Sequence, residues 1–268
     1  MTDDTAALGP AEVIPIVSNL TADDGAFIVG GQATNLWAWF YRDRAPYLRT
    51  QGPFTSQDID YFGEIDVAQK LADALNGTVS RPSKDTMNTP NTAVVEVNIG
   101  GRTIRIDFLN KLLGIQKKEA ERGISELLLP AAGGTTVAVS LMHPLLCIKS
   151  RVANILHPAT RRTDSTAMRQ LHAAYHVGKI YIDHSLEDGD HKEATSFFQG
   201  MFEYLRHNEF GRQAHIKTPV DLIGILQAFA NDQRLDPRYL RYNLAEQIAD
   251  ILAFRPGLEE RLARGASD

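Results

Sequence analysis

The sequence predicts an α+β fold, with a small mixed-sheet domain followed by a C-terminal helical bundle. Two patterns point to it. Up to about residue 140, short apolar runs bounded by glycine pairs alternate with segments of helical periodicity. Beyond that point, apolar residues recur only near every 3.6 positions. The chain's 268 residues also exceed a typical single domain, which favours two: residues 1–140 and 141–268.

Residues 1–11 read as a loose tail, Glu12 to Leu20 as a first helix, and Thr21 to Gly25 as a loop of turn formers. Phe27-Ile28-Val29 is an apolar strand that stops at Gly30-Gly31. The following segment to Tyr41 places Leu36, Trp37, Phe40 and Tyr41 at helical spacing, and its aromatic residues, Trp39 included, read as core. Ile65 to Leu75 is an amphipathic helix ended by Asn76-Gly77. Val79 to Asn91 is polar and turn-rich, a surface linker in its plainest reading. Ala93–Ile99 and Thr103–Leu109 form a hairpin through Gly100-Gly101. Asn110 to Ile124 reads as a charged helix, and Leu127 to Val139 as a second hairpin around Gly133-Gly134. Helices are expected over His143–Ile155, Thr166–His184, His191–His207, Pro219–Ala230 and Pro237–Phe254. Both prolines suit a first helical turn, and Gly257–Asp268 is a fraying tail.

Three carboxylates carry the chemistry. In Asp58-Ile59-Asp60, an extended backbone puts both acids on one face. In Thr103–Leu109, Ile104 and Ile106 share one face, while Thr103, Arg105 and Asp107 share the other. Carboxylates held together repel unless a proton or a divalent cation lies between them. A strand, a double glycine and a helix can bring backbone N–H groups up to a phosphate. Magnesium with a nucleoside triphosphate satisfies both features, because the metal takes carboxylate and phosphate oxygens together.

Gly30-Gly31, then Thr55-Ser56 with Asp58-Ile59-Asp60, then Asp107 on a later strand, resembles the nucleotidyltransferase superfamily related to DNA polymerase beta. The pattern is most similar to the AbiEii-type and minimal nucleotidyltransferase-like proteins, several of which are toxins of toxin–antitoxin pairs. The gap from Gly31 to Asp58 is long for that family, and an inserted helix-to-strand loop over Arg42 to Pro53 would account for it. The resemblance implies that Asp58, Asp60 and Asp107 are catalytic and bind Mg2+ or Mn2+. It further implies that Gly30, Gly31, Thr55, Ser56, Lys149 and Arg151 bind the NTP. For Thr55 and Ser56 the plain alternative is to satisfy backbone groups. For Lys149 it is a surface lysine that snorkels. The implied partners are an NTP, a tRNA or protein acceptor, and a cognate antitoxin.

A formal net charge of −5 argues against a general nucleic-acid coat. Residues 143–182 nevertheless hold six basic residues (Lys149, Arg151, Arg161, Arg162, Arg169, Lys179) against Asp164 alone. No apolar run approaches the roughly 20 residues of a membrane span. A single cysteine, Cys147, fits a reducing cytoplasm and reads as a buried helical thiol. His172 and His176 stand at i, i+4, a metal-capable spacing, but no third ligand accompanies them and they read as helix-face residues. Transfer to a small cationic acceptor, as in aminoglycoside-modifying relatives, and a non-catalytic nucleotide-binding regulator are the alternative functions.

Overall fold

The computed structural model describes residues 7–81, 90–130 and 134–265. The chain divides into two compact units, residues 1–150 and 151–268.

In the first unit, all seven strands belong to one mixed sheet. They are β1 (Phe27–Val29), β2 (Ile59–Phe62), β3 (Thr78–Ser80), β4 (Asn91–Ile99), β5 (Arg102–Leu109), β6 (Ile124–Pro130) and β7 (Thr136–Met142), in the spatial order β3-β4-β5-β2-β1-β7-β6. β2 runs parallel to β5 and antiparallel to β1, and β1 runs parallel to β7. The second hairpin therefore extends the sheet on the β1 side. The first hairpin turns through Gly100 and Gly101, both at positive φ, the backbone that a tight two-residue turn requires. β1 is buried at all three positions, and Tyr61 of β2 stacks on Phe108 of β5 at 5.2 Å, as their paired register dictates.

Helix α1 (Pro10–Val17) begins earlier than the sequence suggests, and the segment before it is not a free tail: Leu8 is buried and exchanges backbone hydrogen bonds with Ser56. Residues 1–6 lie outside the described residues. α2 (Gly30–Phe40) packs on β1 and β2, and Trp37 donates its Nε1–H to the Met142 carbonyl. Trp37 and Tyr41 are core, but Trp39 is half-buried and Phe40 is exposed, so only part of the aromatic run is interior. The expected loop over Arg42 to Pro53 is instead a 3-10 turn (Arg42–Arg44) and a short helix, α3 (Pro46–Gln51). Pro46 sits where a helix tolerates it, and the buried Leu48 anchors the segment. α4 (Ile65–Leu75) has the expected bounds and ends on Asn76 in the left-handed region. β3 lies at the start of what reads as a linker, and residues 82–89 lie outside the described residues. Helix α5 covers only Lys117–Arg122, not the whole of Asn110 to Ile124.

α6 (Pro144–Leu156) carries the chain across the division. The second unit is helical: α7 (Ser165–Glu187), α8 (His191–His207), α9 (Glu209–Lys217), α10 (Ile223–Gln227), α11 (Pro237–Tyr239), a π-helical turn (Leu240–Leu244) and α12 (Ala245–Gly265). Asp164, Asp190 and Asn208 cap α7, α8 and α9 by accepting backbone N–H groups. Sequence reading misses α9, because its polar composition leaves little apolar stripe and only Asn208 separates it from α8. The expected helix from Pro219 shrinks to Ile223–Gln227. α12 continues through Pro256, so residues 257–265 are helical where a fraying tail is expected. Phe197, Phe198, Met201, Leu226 and Leu244 are buried, and Arg255 ties α12 to Asp221 through two hydrogen bonds of 2.6 and 2.8 Å. Among the described residues, no helix is long and apolar enough to cross a membrane.

His172 and His176 of α7 belong to this unit. Burial lowers both imidazole pKa values below their usual range, and Lys179 and His172 add to the effect at His176. The unfolded chain therefore binds protons that the folded chain refuses. Stability is highest above the unfolded pKa and falls as pH drops through it. Thermal midpoints should decline from pH 7.5 to 5.5, and the decline should be shallower in His172→Gln/His176→Gln, as differential scanning fluorimetry can check.

Candidate active site

The parallel pairing of β2 with β5 places Ile59 opposite Ile106 and Asp60 opposite Asp107. The isoleucines are fully buried, so the alternating acids face the other side of the sheet. Asp58 stands in a bend just before β2 and completes the group. The three side chains present ligand atoms that all lie within 4.8 Å of one another. Among the described residues, this is the group of three or more His, Cys, Asp and Glu side chains that could hold a metal ion, and His172 and His176 form no such group.

Each acid has different support. Asp107 is nearly buried, and its Oδ1 accepts hydrogen bonds from Asn91 Nδ2 at 3.0 Å and from Arg105 Nε and Nη2 at 3.1 and 3.0 Å. All three donors use Oδ1. Asp58 Oδ1 accepts from Ser56 Oγ at 3.2 Å. Asp60 lies against the start of α2, where Gly30 has φ +64° and a methyl group would overlap Asp60 Oδ2. Glycine is needed there for two separate reasons. α2 opens with no side-chain cap, and the positive pole of its dipole favours a carboxylate at that end.

The three carboxylates bring like charges together. Two like charges 4 Å apart repel by about 1 kcal/mol in water and by about 4 kcal/mol at an effective dielectric of 20. Arg105 is the nearby cation, and its pKa is raised by the hydrogen bond and charge of Asp107, with smaller attractions from Asp58 and Glu96. More than half of its side chain is exposed, so water screens much of that attraction. A hard divalent cation at about 2.0–2.6 Å from carboxylate oxygens fits such a donor set. The cluster is compact enough for one ion, and small side-chain shifts would admit a pair.

Of the other residues implied by the resemblance, Gly30 and Gly31 open α2, with Gly30 against Asp60, and Thr55 and Ser56 lie on the segment that leads into Asp58. Gly31 is buried in the first turn of α2, and Thr55 directly precedes Ser56. Lys149 is engaged elsewhere, with Nζ 2.6 Å from Glu119 Oε1. Arg151 falls in the second unit, buried, with Nη1 donating to Gln170 Oε1 at 2.9 Å. Cys147 is buried, as expected. Sequence reasoning missed Asn91 and Arg105 as supports of Asp107. Arg105 was legible, because strand periodicity puts it on the face of Asp107. Asn91 was not, because a bulge between Asn91 and Ala93 displaces it from simple pairing, with Thr92 Oγ1 donating to the Gly63 and Phe108 carbonyls.

No family model matches the chain, and no curated protein matches its sequence. Among solved structures, it is similar to an antigenic nucleotidyltransferase-like protein from Paracoccidioides brasiliensis. That crystal structure is 12% identical with a TM-score of 0.41, covering 96% of this chain and 95% of that one. A likeness at that level says nothing of chemistry, which rests on this chain's own residues.

Two outcomes follow from the geometry. Asp58→Asn removes one repelling charge, so without divalent ions its thermal midpoint should equal or exceed that of the unmodified chain. Added Mg2+ or Mn2+ should raise the midpoint of the unmodified chain and have little effect on the variant. Gly30→Ala should cost about 1–3 kcal/mol in chemical denaturation and weaken the divalent response, since it adds both strain and a clash with Asp60. Gly100→Ala, at φ +61° in open space, carries the backbone strain alone and should leave that response intact.

Proposed function

We propose that this chain is a metal-dependent nucleotidyltransferase, moving an NMP from an NTP onto a hydroxyl of a macromolecular acceptor. The observation that carries this reading is the three-carboxylate cluster aligned by the β2–β5 register beside a glycine-started helix. The sequence resemblance to the DNA polymerase beta superfamily rests on the same residues and agrees with it.

In this reading Asp58, Asp60 and Asp107 hold Mg2+ or Mn2+. When bound, the metal lowers the pKa of the attacking hydroxyl and neutralises the departing pyrophosphate. A side chain at Gly30 would displace Asp60, and the backbone N–H groups of Gly30 and Gly31, at the start of α2, would be the donors for the triphosphate. Asn91 and Arg105 pin Asp107 through Oδ1, which leaves Oδ2 to face the metal and to receive the acceptor's proton. Ser56 orients Asp58 with its one hydroxyl proton and would have to exchange that partner to donate to a phosphate oxygen, whereas Thr55 offers a hydroxyl donor in addition. Lys149 would have to exchange Glu119 for the β- or γ-phosphate. Arg151, buried on Gln170, serves α6 and α7 structurally in this reading.

The acceptor is a tRNA or a protein, and a toxin role with a cognate antitoxin follows only from the family resemblance. Much of the basic content of residues 143–182 is already engaged: Arg151 is buried, Lys149 pairs with Glu119, and Arg162 pairs with Asp164. The deciding experiment incubates purified protein with each α-32P-labelled NTP, Mg2+ and total cellular RNA and protein. Label should enter an RNA or protein band, disappear with EDTA, and be absent with Asp60→Asn or Asp107→Asn. Persistence of the label in both variants would refute the assignment of the aspartates.

A further inference from the structure

The segment between α2 and β2 has a second consequence. It folds against the end of α2 and forms a cleft of about 480 Å³. Trp39 and Arg42 line one side, Leu48 and Arg49 of α3 another, and Pro53 and Phe54 close it. The floor is apolar: Leu48 and Phe54 are buried, and Phe54 is braced by a stacked ring, Tyr47, at 6.3 Å. Trp39 is half-buried, with the Arg42 guanidinium over its ring at 5.3 Å. Arg42 and Arg49 stand at the rim against Asp43, a net charge of +1. Arg42 reaches Asp43 only at 3.4 Å between exposed side chains, a pair worth little. Among the described residues, the Arg49 guanidinium has no hydrogen-bond or ion-pair partner, while its backbone N–H donates to the Ala45 carbonyl. None of the candidate catalytic aspartates lines this cleft.

We propose that this cleft is a binding site for a small amphipathic anion, a flat aromatic ring carrying one oxyanion. Its volume lies within the usual range for small-ligand sites, which pair an apolar lining with a few placed polar groups. Aromatic walls accept a ring in an offset-stacked or edge-to-face arrangement. Two guanidinium groups at the rim can each take two oxygens of a carboxylate, phosphate or sulfonate, which a lysine could not do. The charge excess at the rim selects an anion over a neutral ring of the same size. This proposal does not rest on nucleotidyl transfer, and either can fail without the other.

The test titrates the full chain with 8-anilinonaphthalene-1-sulfonate, and in parallel with N-phenyl-1-naphthylamine, which has the rings without the sulfonate. The sulfonate should saturate a single site and quench tryptophan emission. The double variant Arg42→Ser/Arg49→Ser should bind it at least about tenfold more weakly, while the neutral probe binds the unmodified chain and the variant alike. Arg49→Lys, which keeps the charge without the planar fork, should fall between them. Both positions are exposed, so thermal midpoints should stay unchanged. Equal sulfonate affinity in the double variant, parallel loss of both probes, or non-saturable binding to the unmodified chain would each overturn the proposal.

Discussion

The site depends on one pairing, the parallel register of β2 against β5. Ile59 with Ile106 and Tyr61 with Phe108 bury the apolar sides of the two strands, and the same register sets Asp60 beside Asp107. Because side chains alternate with a period of two, a slip of one residue would bury the acids and expose the isoleucines. Packing energy thus holds two repelling charges together. The fold tolerates the repulsion because the apolar partners permit no other alignment. Burial also pushes the Tyr61 hydroxyl pKa far up, so that ring behaves as part of the core.

The acids are not equivalent. Asp107 is fixed by three donors on one oxygen, Asp60 stands where a side chain at Gly30 would displace it, and Asp58 accepts from Ser56. Asp58 also sits in a bend outside the strand, on the segment that continues from the Phe54 side of the amphipathic cleft. It is the acid whose position is least determined by the sheet and the one most free to adjust to a metal.

Apart from β3, which falls at the start of what reads as a linker, the strands and the carboxylates were legible because both follow from period-two alternation and glycine punctuation. α4 matched its expected bounds because its apolar stripe and Asn-Gly stop agree. Features fixed by tertiary contacts were not legible. Residues 42–53 carry two prolines, a glycine and three arginines, and Leu48 holds the segment by its buried place. α9 lacks an apolar stripe, α12 passes a proline that normally ends a helix, and Asn91 reaches Asp107 through a bulge. In the site, residue types that carry charge could be read from sequence, whereas the neutral residue that orients one of them could not.

The most direct test of the central claim is electron paramagnetic resonance of Mn2+ titrated into the protein with and without a non-hydrolysable NTP analogue. The account predicts specific Mn2+ binding that strengthens with the analogue and is lost in both Asp60→Asn and Asp107→Asn. Mn2+ binding of unchanged strength in those variants would contradict it.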